Sequence, residues 1–120
     1  MKLLLSNNDI DVNKALTSDG STPLFVACQD NCLSVIKLLL SNENIDVNKS
    51  RNIDGCTPLY IACYYNHKDV VELLLACNNI DINRKSTDDN TTPLDIALKN
   101  NNKDIINLLH LHENGNNWIN

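Results

Sequence analysis

Between Thr57 and Leu75 the chain runs apolar (Leu59 to Cys63), turns polar at Asn66 to Asp69, and returns to apolar residues from Val70. The second apolar stretch places Val70, Val71, Leu74 and Leu75 at i, i+1, i+4 and i+5, which is one side of a helix over about 68–76. The first stretch is prefaced by Thr57, whose hydroxyl suits an N-cap, and by Pro58, whose missing N–H costs nothing at the first helical position. Asn66 is the residue type that tolerates a left-handed conformation at a helix end. The polar segment "NNIDINRKSTDDN" that follows, with isolated isoleucines, predicts an extended, hairpin-like loop. The unit is a short helix, a turn, a longer helix and a projecting loop.

This pattern recurs every 35 residues: Pro23, Pro58 and Pro93 each sit in a Thr-Pro-Leu triplet. Asp19, Asp54 and Asp89 coincide at the same offset, as do Ala27, Ala62 and Ala97, and the pairs Leu38-Leu39, Leu73-Leu74 and Leu108-Leu109. The triplets at 11–13, 46–48 and 81–83 also fall in step. The chain therefore divides into three copies, 17–51, 52–86 and 87–120, preceded by the tail of a fourth at 1–16. No linker interrupts it, so residues 1–120 form one array. Neither helix can bury its apolar face within one copy, so the faces must be buried against neighbours. The expected core includes Leu24, Ala27, Leu38, Leu39, Leu59, Ala62, Leu74, Leu94, Ala97 and Leu109, with four second helices and three first helices stacked.

Composition narrows the function classes. A net charge of −5 offers no basic face for nucleic acid. No apolar run approaches a membrane span, and "MKLLLSN" is no signal peptide. Five cysteines, an odd number, fit a reducing compartment, so an intracellular protein, cytoplasmic or nuclear, is expected. The abundant asparagine is interleaved with apolar periodicity and reads as compositional bias.

The unit resembles an ankyrin repeat. Gly55, Thr57, Pro58, Leu59, Ala62, His67, Leu74, Leu75, Ile82 and Asn83 match the family pattern, with equivalents 35 residues away. The family period is shorter by two residues, and the extra ones fall near Asn79 and Ser86. The family's histidine after Leu is Phe25, Tyr60 or Asp95 here, and its inter-helix glycine is asparagine in every copy. The resemblance implies an all-α solenoid of stacked helix-turn-helix units with projecting hairpin-like fingers. It also implies binding to a protein partner through a concave surface of fingers and first helices, with no catalysis and no cofactor.

By the motif match, the partner-facing finger positions are Lys14, Ser18, Asp19 and Ser21, then Lys49, Arg51, Ile53, Asp54 and Cys56, then Arg84, Lys85, Asp88, Asp89 and Thr91. The ends of the first helices add Gln29 and Asp30, Tyr64 and Tyr65, and Lys99 and Asn100. Tyr64 and Tyr65 are the candidate anchors, because buried aromatics carry much interface energy; they fit equally a role in packing on the next copy. The recurring cations Lys14, Lys49 and Arg84 suit an acidic partner, but charges of both signs also simply solvate turns, which is the stronger reading. The alternative function is a structural spacer within a larger protein.

Candidate chemistry is sparse. Cys28 and Cys63 stand at the family's second alanine and read as small buried apolar residues. Cys28, Cys32, Cys56 and His67 lack the close paired spacing of structural zinc sites, and His67 is expected to bond within the inter-helix turn. A leucine ahead of each finger triplet (Leu5, Leu40, Leu75) resembles ankyrin repeats whose finger asparagine is hydroxylated, which would target Asn13, Asn48 or Asn83; against this, the asparagine holds the finger turn. The partial first copy, lacking its first helix, reads as a fragment of a longer array. Its Met1, Leu4 and Leu5 stripe invites fraying and weak self-association of an otherwise monomeric chain. His110, Gly115 and Asn117 replace apolar residues of the inner copies, as the polar outer face of a capping copy requires.

Overall fold

The computed structural model describes the backbone of residues 11–118 and the side chains through residue 114. The second helix expected within 1–16, and its Met1, Leu4 and Leu5 stripe, lie outside the described residues. Among the described residues there are six helices and no strand. The three short first helices are α1 (Pro23–Gln29), α3 (Pro58–Tyr64) and α5 (Pro93–Lys99). Each pairs with a second helix, α2 (Leu33–Leu40), α4 (Lys68–Leu75) and α6 (Lys103–Trp118). The first helices form one layer, α1 on α3 on α5; the second helices form the other, α2 on α4 on α6. None of the described helices is long and apolar enough to cross a membrane.

Local signals set the helix bounds. Thr22, Thr57 and Thr92 are extended, and their hydroxyls accept from Phe25 N at 3.2 Å, Tyr60 N at 3.1 Å and Asp95 N at 3.0 Å. At the other end Asn31, Asn66 and Asn101 have φ of 58°, 61° and 58°. The N–H two residues beyond each helix cap then returns to Ala27 O, Ala62 O or Ala97 O at 2.9–3.0 Å. That bond closes a Schellman turn, which satisfies an orphan carbonyl and reverses the chain towards the second helix.

The core runs through the array between the two layers: Leu24, Phe25, Cys28, Ile36, Leu59, Ala62, Cys63, Val70, Val71, Leu74, Ala97 and Ile105 are fully buried. Two expected members differ. Leu38 is 37% exposed, because only the second leucine of each pair (Leu39, Leu74, Leu109) points inward, and its neighbour is turned about 100° away. Leu94 is only half-buried: α1 and α3 are each followed by another first helix, and α5 is not among the described residues.

The third unit departs from its predecessors. Its helix α6 has 16 residues against eight in α2 and α4, so helix occupies positions that form the finger elsewhere. In the first unit Asn42 Oδ1 accepts from Asn44 N at 2.8 Å and turns the chain out of the helix. His112 stands at that position in the third unit. The outer side of this unit is not the uniformly polar face expected: Leu98, in the register of the fully buried Cys28 and Cys63, is 53% exposed.

Candidate functional site

Each finger is a hairpin-like loop closed by one backbone bond, Leu16 N→Ser21 O at 2.7 Å, Arg51 N→Cys56 O at 3.0 Å and Ser86 N→Thr91 O at 2.8 Å. Its tip needs a left-handed residue, and Gly20, Gly55 and Asn90 have φ of 87°, 70° and 58°. Successive fingers are joined by Asn52 N→Asp19 O and Thr87 N→Asp54 O, both 2.8 Å. The approach is close enough that a Cβ on Gly20 would lie 2.6 Å from Asn52 N.

At the first of these joints, Arg51 gives Asp54 two hydrogen bonds, from Nε at 3.0 Å and Nη2 at 2.8 Å. Its Nη1 lies 3.7 Å from Asp19 Oδ2, and its guanidinium carbon lies 4.6 Å from the centre of the Phe25 ring. The bonds to Asp54 raise the Arg51 pKa further. Partial burial by itself would raise the Asp54 pKa, but the Arg51 bonds and the Cys56 N–H outweigh it and hold the carboxyl below its usual range. Asp19 is likewise lowered, chiefly by the Thr17 and Ser21 hydroxyls.

The second joint has Ser86 in the position of Arg51. Ser86 Oγ donates to Asp89, Thr91 Oγ1 donates to Asp89 Oδ1 at 2.8 Å, and the Tyr60 hydroxyl lies 2.8 Å from Thr91 Oγ1. The Ser86 and Thr91 hydroxyls, Ser86 first, lower the Asp89 pKa, while burial pushes the Tyr60 phenol up.

Below the tips, the finger asparagines tie each loop to the next. Asn13 Nδ2 donates to Asn44 O while its Oδ1 accepts from Asp46 N; Asn48 does the same with Asn79 O and Asp81 N, all at 2.7–2.8 Å. These bonds cross between units, where the sequence suggested a bond within one finger turn. The next cations follow suit: Lys49 Nζ donates to Asn13 O and Arg84 Nη1 to Asn48 O, each at 3.0 Å. Two of the recurring basic positions are thus hydrogen-bonded within the array, although Lys49 and Arg84 stay exposed, as do Lys14 and Lys85.

The ends of the first helices form a second row. His67 Nε2 lies 3.0 Å from Gln29 O; a carbonyl only accepts, so this nitrogen carries the proton. This bond reaches back to the preceding unit and does not stay in the inter-helix turn as expected. On the other side, Asn100 Nδ2 donates to Tyr64 O at 3.1 Å and Asn102 Nδ2 to Cys63 O at 3.0 Å. The segment is therefore pinned on both sides, yet Tyr64 and Tyr65 are 47% and 48% exposed. Their rings meet edge to face with centroids 4.9 Å apart, and Tyr65 stacks on His67 at 5.9 Å. Asp30, Lys99 and Asn100 flank them in exposed positions, and Gln29 is half-buried.

Several finger positions sort differently from the motif match. Ser21 and Cys56 are buried, because each side chain turns beneath its own tip aspartate. Thr91 is half-buried. Ile53 is 68% exposed, as is Leu16 at 63%, a residue the motif match passed over. The clue to Leu16 was its register with Arg51 and Ser86. Burial pushes the thiols of Cys28 and Cys63 up, the latter to about 12, which suits inert core residues. Among the described residues, no three His, Cys, Asp or Glu side chains gather as a metal site would require.

The family model for ankyrin repeats matches residues 1–86 and 49–119, as three copies. A comparison with curated proteins finds no match. With helix pairs, Schellman turns and closed fingers recurring in the same register, the chain belongs to the ankyrin repeat family, whose members are in general protein-interaction modules and typically non-catalytic.

Proposed function

We propose that the finger tips and the ends of the first helices together form the face on which this chain binds a protein partner. The observation that carries this is the Tyr64–Tyr65 pair: two half-exposed aromatic rings on a backbone held from both sides by His67 and Asn100. Burying such a pair on association removes apolar area from water at little conformational cost, since neither the backbone nor the neighbouring turns must be ordered first. Ile53 and Leu16 add exposed apolar contacts on the fingers, and Asp30, Asp88, Lys85 and Lys99 supply a polar rim.

Arg51, Lys49 and Arg84, engaged inside the array, shape this face more than they contact a partner. The experiment is affinity capture from the source cell with the wild-type chain and with Tyr64→Ala combined with Tyr65→Ala. Loss of a specific partner, with an unchanged circular dichroism spectrum and melting point, is the expected result. A partner retained in full by the double variant moves the binding face elsewhere; no specific partner for either protein favours the spacer role.

A further inference from the structure

The tips of the three fingers carry Asp19, Asp54, Asp88 and Asp89, and one guanidinium, Arg51, answers the first two. Asp88 and Asp89 lie side by side, close enough for Asp88 to perturb its neighbour. Both are exposed, and no cation of the described residues pairs with either. The Asp89 bonds to Ser86 and Thr91 neutralise no charge, because both donors are hydroxyls. One unit earlier, the equivalent aspartate holds a guanidinium that also lies over an aromatic ring. The third finger therefore presents the same acidic group with the cation missing from the chain. Ile53, in the register of Asp88 one finger before, supplies exposed apolar surface, and the Tyr64–Tyr65 rings offer π faces.

We propose that this face takes a cationic protein segment, one that sets an arginine side chain against Asp88 and Asp89 and adjoining apolar atoms against Ile53 and the tyrosine pair. The inference rests on the binding face argued above. A guanidinium fits because its planar fork can address two carboxylates and still stack on a ring, as Arg51 does within the chain. The net charge of −5 draws such a segment in from a distance and disfavours an acidic one.

The test uses the whole chain, labelled with nitrogen-15, titrated with acetyl-Arg-Leu-Arg-amide and, separately, with acetyl-Glu-Leu-Glu-amide. The arginine peptide is expected to shift the amides of Ile53, Tyr64, Tyr65, Asp88 and Asp89, with shifts that shrink in about 0.5 M salt. Asp88→Asn should weaken it about two- to fivefold. Because Asp88 is exposed and in no ion pair, that variant leaves the fold intact. Equal shifts from the glutamate peptide, shifts on another face, or an unchanged response in Asp88→Asn each overturn the proposal. A partner captured from cells separates the two ideas. If Tyr64→Ala with Tyr65→Ala releases it while Asp88→Asn and salt do not, the binding face stands and the cationic partner falls.

Discussion

The two finger joints share a backbone bond of the same length and are otherwise sealed by different chemistry. At the first, Phe25 offers a ring face, and Arg51 lies over it between Asp19 and Asp54. At the second, Tyr60 offers a hydroxyl, and Ser86 and Thr91 relay hydrogen bonds to Asp89. The changes at 25/60 and 51/86 go together: a phenol bonded to Thr91 suits a small hydroxyl neighbour, and a bare ring suits a guanidinium. One backbone thus accepts a joint sealed by an ion pair or one sealed by hydroxyls alone. The comparison also shows that a finger carboxylate is paired with a cation of its own chain at Asp54 and is held by hydroxyls alone at Asp89.

The sharpest way to break the first joint is Phe25→Ala, which empties a fully buried site beneath Arg51 and should cost about 3–5 kcal/mol. Urea denaturation will read it as a lower midpoint at unchanged slope; a loss under about 1 kcal/mol would show that the ring does not support the joint. Arg51→Ala comes next. It leaves the half-buried Asp54 without its cation, and the expected cost is about 1–2 kcal/mol after allowing for partial solvent screening. The difference from wild type should narrow in about 0.5 M salt. Tyr60→Phe removes one hydroxyl bond from the second joint and should cost about 1 kcal/mol, with no salt dependence. If the two variants respond alike to salt, the distinction between the joints fails.

Acid does not discriminate between the joints. Asp19, Asp54 and Asp89 all have folded pKa values below those of the unfolded chain. Their stabilisation is therefore complete above the ordinary carboxylate range and is lost as pH falls through the lowered values. A melting series from neutral pH downward should show a decline beginning only at acidic pH. Replacing Asp54 by Asn should flatten part of it. The smallest effect on stability is expected from Tyr64→Ala and Tyr65→Ala, under about 0.5 kcal/mol each, since neither half-exposed ring is part of the core.

Much of this was legible because repetition samples the same local rule three times. The Thr-Pro caps and the left-handed asparagines are local signals, and they act within four or five residues of chain. The inward leucine of each pair was less legible: helical period places Leu38 and Leu39 on adjoining faces, and which of them meets α4 depends on how the helices are rotated against one another. The exposure of Tyr64, Tyr65 and Ile53 was legible in the sequence, and that of Ser21 and Cys56 was misjudged. Those two occupy tip positions in the sequence, but their side chains are buried and interact with the aspartate two residues earlier.

What the sequence alone determined is the unit and its number. Caps, periodicity and turn residues are short-range, and any chain carrying them at a 35-residue interval must bury its helices between copies. What only the tertiary structure decided is the use of the polar residues. His67 and Asn102 bridge to carbonyls of the preceding unit, and Asn13 and Asn48 to the loop of the next; Arg51 is enclosed by two fingers and a ring. Apart from Asp54, three residues from Arg51, each of these partners lies more than 25 residues away in sequence. Stacking brings such groups within hydrogen-bond reach, and a polar side chain takes the nearest well-aligned partner that spares it desolvation without a bond. The charges and rings left over after those bonds are made are the ones available to a partner.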